Sequence, residues 1–264
     1  MSDGDLPPDG EATVAGVRLP AGRRPAGTGA PVLWATGEMT DAAGTWLALA
    51  DGVAGTSLVP VLLSGLRGQP ERPWDNGELW PCEPGAVDSL DPAAVLRDMW
   101  QGSVPVPEED EAETAGLLGP HSRAFPGLAA ADGPPIGAEG RRNAVALLAS
   151  RTAPRRLGLV AAPRAADVPA TVGWAGAVNY YPTPAPLSAV LRSWEDRFGA
   201  RLIHLGFDTM DLLVERPVLT QEAAHAVAAE HFAFCSDNIY QGLGTIRRYA
   251  ADLPEAPIWS FWWD

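Results

Sequence analysis

The chain has 264 residues, of which 46% are apolar, with 10 tryptophans and a formal charge of −14. That composition is globular, and the length accommodates one large domain or two small ones. An acidic field repels phosphate backbones, so nucleic acid is not expected as a partner; all 19 basic residues are arginine, which excludes a pyridoxal-phosphate anchor and a phosphate-loop nucleotide site, and no cofactor is expected.

Residues 1–30 are rich in Gly, Pro and Asp and read as a flexible arm. The start, Met1-Ser2-Asp3-Gly4-Asp5, lacks the apolar stretch of a signal peptide. Gly27-Thr28-Gly29 precedes a strand where a dinucleotide fingerprint would follow one. Residues 31–35 (PVLWA) read as a strand, 40–50 as a helix capped by Thr40, and 57–63 as a buried strand. This order predicts a βαβ unit with a parallel pair inside an N-terminal α/β region, 31–102. Asn76-Gly77 marks a turn that Trp74 and Trp80 would pin to the body. A helix over 91–101 has Asp91 as N-cap and Pro92 at its first position. Residues 103–140, with the run Glu108-Glu109-Asp110-Glu111, read as an acidic linker or loop.

Residues 141–264 are expected to form a C-terminal α+β domain. Segments 156–162 and 171–178 read as strands, after a helix over 143–150. In 187–198 Leu187, Val190, Leu191, Trp194 and Phe198 share one helical face, and Gly199 stands at the left-handed C′ position. Strands over 201–207 and 210–215 flank the turn Asp208-Thr209. Thr220 caps a helix running to about Phe234, a break over 238–244 precedes a short helix over 245–253, and 258–263 closes the chain as a strand. From residue 171 this order matches a ferredoxin-like split β-α-β domain with one added helix, its helices on one face of the sheet. The last strand is apolar on both faces, so the N-terminal half is expected to cover it, making the chain one body of mixed α/β class.

Ser193-Trp194-Glu195-Asp196-Arg197-Phe198-Gly199-Ala200, Gly206-Phe207-Asp208-Thr209, Ala229-Glu230-His231-Phe232-Ala233-Phe234-Cys235 with Asp237-Asn238, and Phe261-Trp262-Trp263-Asp264 resemble the bacterial "domain of unknown function 4253" family over roughly residues 155–264. The stretch from Arg72 to Leu79 also resembles the upstream part of members from high-GC genomes. The resemblance implies a domain boundary and brings no catalytic role, cofactor or partner with it.

His231 and Cys235 are the sharpest chemical candidates. Four residues apart, they would share an inward helical face, as half of a metal site or as a thiol activated by an imidazole. Either use needs another group, for which His204 or Asp237 is available; the packing alternative is a core histidine beside an inert cysteine. His225 and His231 are six positions apart and cannot chelate one ion from one helix face. The carboxylates Glu195, Asp196, Asp208 and Asp211 could serve acid–base work or hold a divalent cation, or else edge a solvated helix near Arg192 and Arg197. Trp74, Asp75 and Glu78 could bind a cation or sugar, or simply build a turn. Arg247 and Arg248 could form an anion site at a helix start, or lie on an exposed face.

No catalytic set is complete. Charge is uneven: residues 1–150 carry 9 Arg against 21 acids, and residues 151–264 carry 10 against 12. The expected protein is lysine-free, acidic, cytoplasmic and without a membrane span, Cys82 and Cys235 being too few for a disulfide framework. Its expected function is a non-catalytic module that binds another protein, in a regulatory or toxin-neutralising role. The alternative is a metal- or thiol-dependent enzyme centred on His231 and Cys235.

Overall fold

The computed structural model describes residues 6–25, 31–106, 111–152 and 155–264. Two apolar strands set its frame. β4 (Leu58–Leu63) is buried throughout and β5 (Arg156–Ala161) over all but its last residue, as strands covered on both faces are. They pair antiparallel from Leu58↔Ala161 to Leu63↔Arg156. β5 also pairs antiparallel with β3 (Leu33–Thr36), so it separates β3 from β4. The unit β3–α1–β4, with α1 at Ala42–Gly52, is therefore split, and the expected direct parallel pair is not formed. The reason is packing: β5 sends Leu157 and Leu159 into one core and Val160 into the other. Such a strand gains most in the centre of the sheet. Asp41, not Thr40, caps α1, its carboxylate accepting from Gly44 N at 2.8 Å.

β4 also pairs in parallel with β6 (Ala200–Leu205), which turns back into β7 (Thr209–Val214), and β7 pairs with β8 (Ile258–Trp262). On the opposite side β1 (Gly10–Val14) and β2 (Val17–Arg23) add a hairpin to β3. Residues 10–23, expected within a flexible arm, thus extend the sheet. Their two-residue turn, Ala15-Gly16, has φ of 48° and 79°, which matches the right-handed twist of hairpin strands. The result is one mixed, mostly antiparallel eight-stranded sheet in the order β1-β2-β3-β5-β4-β6-β7-β8.

The ferredoxin-like arrangement is not what forms. β4 intrudes between β5 and β6, and β8 lies at the edge beside β7 alone. Residues 171–178, expected as a strand, belong to α5 (Val168–Val172) and the turn that follows Gly173, at φ 72°. Helices cover both faces. α1 and α4 (Gly137–Thr152) pack on one side around Trp34 and Trp46. On the other lie α2 (Pro92–Ser103), α3 (Glu111–Leu118), α6 (Ala185–Phe198), α7 (Gln221–Phe234) and α8 (Ile246–Ala251). One face of β8 is covered by α6 and α7, while Ile258 on the other face joins the cluster of Trp34 and Trp46, as expected of the N-terminal half. Trp259 and Phe261 lie 5.6 and 5.5 Å from Trp194, and Trp263 lies 5.6 Å from Phe234, centroid to centroid. Trp262, on the opposite face, is 36% exposed.

The stretch expected as a linker is stitched to the body. Trp100 Nε1 donates to Arg123 O at 2.8 Å, and Ala129 N donates to the buried Glu230 at 2.5 Å. Glu108, Glu109 and Asp110, like Gly27-Thr28-Gly29, lie outside the described residues. The cap of α2 is as expected: Asp91 accepts from Ala93 N and Ala94 N, with Pro92 in the first turn. Asp91→Ala should cost about 1 kcal/mol, read as a lowered urea midpoint, and Asp91→Asn should restore most of it.

Candidate functional site

His231 and Cys235 are both buried, and the Cys235 N–H donates to His231 O at 2.8 Å, but the thiol and the imidazole have different partners. α7 ends at Phe234, and Cys235 has left the helical conformation at φ −149°. The His231 ring sits among Trp259, Phe261 and Trp194 at 4.5, 4.9 and 5.0 Å. Burial, with Arg197 nearby, pushes its pKa down to about 3. Burial pushes the Cys235 thiol up to about 12, so it is held as the thiol and not as the thiolate a nucleophile needs.

A chain of contacts links the two instead. His231 Nδ1 faces the Tyr249 hydroxyl at 3.0 Å, and Asn238 Nδ2 reaches both that oxygen and Ser260 O, at 3.3 and 2.8 Å. Cys235 Sγ donates to Trp262 O at 2.9 Å, and Trp262 N donates to Asn238 Oδ1 at 3.4 Å. Asn238 and Cys235 therefore satisfy backbone groups of the edge strand β8, which otherwise would template pairing with another chain. Asp237 holds the end of the chain, accepting from Asp264 N at 3.1 Å and from the Tyr180 hydroxyl at 2.6 Å. No cluster of three or more His, Cys, Asp or Glu suited to a metal ion occurs among the described residues.

His204 lies elsewhere, in β6. It neighbours Leu62 of β4 on one side and Asp211 of β7 on the other, and Asp211 is paired in turn with Ser260 of β8. His204 Nδ1 is 2.7 Å from Asp211 Oδ2 and Nε2 is 2.9 Å from Ser64 Oγ. Ser260 Oγ donates to Asp211 Oδ1 at 2.5 Å. A carboxylate only accepts, so Nδ1 carries the proton and, in the neutral ring, Nε2 accepts from Ser64. His204 and Asp211 are 1% and 4% exposed, while Ser64 is half-buried just past the end of β4. Ser64 is fixed through its backbone: its N–H donates to Leu205 O at 3.2 Å and its carbonyl accepts from Trp74 Nε1 at 2.8 Å. Sequence reasoning singled out His204 and Asp211 separately and missed Ser64 and Ser260.

The other candidates are absorbed by structure. Trp74 is buried, and Asp75 is ion-paired with Arg156 at 2.8 Å and Arg23 at 3.0 Å. Burial pulls the Asp75 carboxyl up, but the two guanidinium groups outweigh it and hold the group below its usual range. Glu78 receives Arg72 through both oxygens. Glu195 and Asp196 pair with Arg164, at 2.9 and 2.6 Å. Arg192 goes to Asp167 and Asp88, and Arg197 to Glu230, so the expected grouping with Glu195 and Asp196 is replaced. Arg247 and Arg248 are exposed on the six-residue α8.

Trp80 does not pin its loop: it is 62% exposed. It forms one rim of a groove of about 500 Å³ whose walls include Cys82, Trp174, Val178, Tyr181 and Pro182. Trp80 N donates to Gly173 O at 2.9 Å, and a Cβ at residue 173 would run into the Trp80 backbone, so only glycine permits this seam. Trp174 Nε1 donates to Gly206 O at 2.8 Å, which ties the groove wall to the end of β6.

No curated protein and no solved structure matches the chain. The family comparison reaches β5 to β8, with His204, Asp211, His231, Cys235 and Asn238, and leaves out Ser64 and Trp80. Residues 156–264 match the family described as Domain of unknown function (DUF4253), a segment whose start agrees with the boundary implied by its motifs.

Proposed function

We propose that the protein is a binding module that seats an apolar segment of another protein in the groove between Trp80 and Val178. The observation that carries this reading is the exposure of large apolar side chains that line the groove, Trp80 at 62% and Val178 at 55%. Apolar patches of this kind beside a groove serve recognition more often than solubility. Tyr181, in the groove wall, is pre-positioned by its hydroxyl, which donates to Ala233 O at 3.1 Å, and this lowers the ordering cost of binding. The charge of −14 favours a basic partner over nucleic acid.

The proposal needs no cofactor. No helix among the described residues is long and apolar enough to cross a membrane. A cytoplasmic setting is part of the proposal, supported by the unpaired thiols of Cys82 and Cys235. A thiol-dependent enzyme at Cys235 is the weaker reading, because burial keeps that thiol protonated.

A photo-crosslinking side chain placed at Val178 should trap one discrete protein in the producing cell, and Trp80→Glu should abolish the adduct without lowering the thermal midpoint. Loss of the idea follows if the folded protein gives no adduct, or one that Trp80→Glu leaves unchanged.

A further inference from the structure

We infer that Ser64, His204 and Asp211 form an acyl-transfer site, with Ser64 Oγ as nucleophile and a short-chain carboxylic ester as the substrate class. This goes beyond the binding role, and its test does not involve the groove.

The three side chains stand in the order that activates a serine. Ser64 Oγ is 2.9 Å from His204 Nε2, and His204 Nδ1 is 2.7 Å from Asp211 Oδ2. A nucleophile within reach of a base, itself oriented by a third group, is the pattern such chemistry requires, and it is recognised by geometry rather than by sequence position. A purely structural row of cross-strand hydrogen bonds would account for His204, Asp211 and Ser260, which lie opposite one another in adjacent strands. It does not account for Ser64. That residue lies beyond the end of β4, is half-buried, and donates its hydroxyl to the one histidine nitrogen the row leaves free.

The position is also apt. Ser64 and His204 lie at the C-terminal ends of the sheet's parallel pair, β4 and β6, where open α/β sheets hold their ligands. Gly206 leaves room there: a Cβ at that residue would collide with Thr209 and come within 3.0 Å of Ser64 Oγ. The Ser64 N–H is committed to Leu205 O. The next amide, Gly65 N–H, has no acceptor among the described residues and is the adjacent backbone donor for a developing oxyanion. Gly65 cannot carry a side chain, because a Cβ would strike the Pro70 carbonyl. The loop beyond is tethered by Arg72, whose guanidinium lies 4.8 Å from the centre of the Phe207 ring. The close approach of Gly206, Thr209 and this loop favours a small acyl group.

In the step inferred, Ser64 Oγ bonds to the ester carbonyl carbon as its proton passes to His204 Nε2, and the carbonyl π pair moves onto oxygen. Collapse breaks the bond to the leaving alcohol, which takes the proton from Nε2. Water then attacks the acyl-serine by the same route, releasing the acid and restoring Ser64. Asp211 holds the ring through its contact with Nδ1 and steadies the charge that develops there. Ser260 is a positioning residue that holds the second oxygen of Asp211.

The full-length protein should be treated with a fluorophosphonate, which phosphonylates activated serines, and the labelled site located by peptide mass. Ser64 should be labelled; Ser64→Ala should abolish the label, and His204→Gln should slow it by at least about 100-fold. Because His204→Gln could disturb the sheet, Ser64→Cys supplies a second measurement. The thiol that this substitution introduces should be alkylated by iodoacetamide at neutral pH faster than Cys82 in the same sample. A folded protein whose Ser64 stays unlabelled, labelling that ignores His204, or a Ser64→Cys thiol no faster than Cys82 would each overturn the assignment.

Discussion

Glu230→Ala should destabilise the fold by about 3–5 kcal/mol, the cost of leaving one partner of a buried ion pair uncompensated. The Glu230 side chain is fully buried. Its Oε1 accepts from Ala129 N at 2.5 Å and Arg197 Nη1 at 2.8 Å, and its Oε2 from Trp194 Nε1 at 2.7 Å and Arg197 Nη2 at 2.6 Å. One carboxylate thus joins α6 to α7 and pins residue 129 against both. Truncation leaves a guanidinium that is mostly out of water and two further donors without acceptors. Glu230→Gln should cost less, since it keeps two of the acceptor contacts but brings an N–H₂ toward donors. The decisive comparison is Arg197→Met with Glu230→Leu together. An apolar pair of similar volume removes both charges, and such swaps are often close to neutral. Urea unfolding of the three variants should therefore place the double substitution above Glu230→Ala in stability. Equal midpoints would mean that the cost lies in what the two variants share, the Ala129 and Trp194 donors left without an acceptor, and not in the orphaned charge.

Which parts of this architecture can be read from the chain depends on how local their causes are. α2, α6 and α7 are legible because each carries its own boundary signal: Asp91 and Pro92, Gly199 at φ 61°, and Thr220 accepting from Ala223 N. Buried β4 is legible as an apolar run. Residues 171–178 mislead because a short apolar run suits a buried helix as well as a strand; the left-handed Gly173 decides the matter. The β1–β2 hairpin is hidden by its turn, since Ala15-Gly16 is a weaker signal than Asn-Gly. Strand order is not local at all. The apolar character of β5 does not say that it will separate β3 from β4.

The site divides in the same way. His204 and Asp211 are seven residues apart on one hairpin, and both are polar residues within apolar strands, a visible anomaly. Ser64 lies 140 residues upstream of His204 and joins it only through the parallel pairing of β4 with β6. Nothing in the local sequence Leu63-Ser64-Gly65 announces that meeting. The spacing of His231 and Cys235 correctly indicates that both are buried. It fails on their contact, because the helix ends one residue before Cys235 and turns the thiol toward β8.

His231 should make the protein lose stability as pH falls from about 6.5 toward 3, by about 1.4 kcal/mol for each unit. The sign follows from the direction of its shift. In the folded protein burial lowers the pKa to about 3, whereas in the unfolded chain an ordinary histidine titrates near 6.5. Between these values the unfolded state holds a proton that the folded state does not, so stability is fully present above about 6.5 and is lost progressively below it. Charging the folded ring is costly for a local reason. Nδ1 has the Tyr249 hydroxyl, but Nε2 is buried with no partner among the described residues and is walled by aromatic rings. His231→Phe tests this directly. At pH 7 the variant should be about 1 kcal/mol less stable, having lost the bond to Tyr249. At pH 4 it should be the more stable protein by about 2 kcal/mol, because phenylalanine has no proton to bind. Asp75 and Asp132, whose carboxyls are held below their usual range by their partners, also lose stability in acid. They do so equally in both proteins and cancel in the difference. Unfolding free energies at pH 7, 5.5 and 4 should therefore cross. A difference that stays constant with pH would show that His231 is protonated in the folded core, and that the aromatic niche around it tolerates the charge.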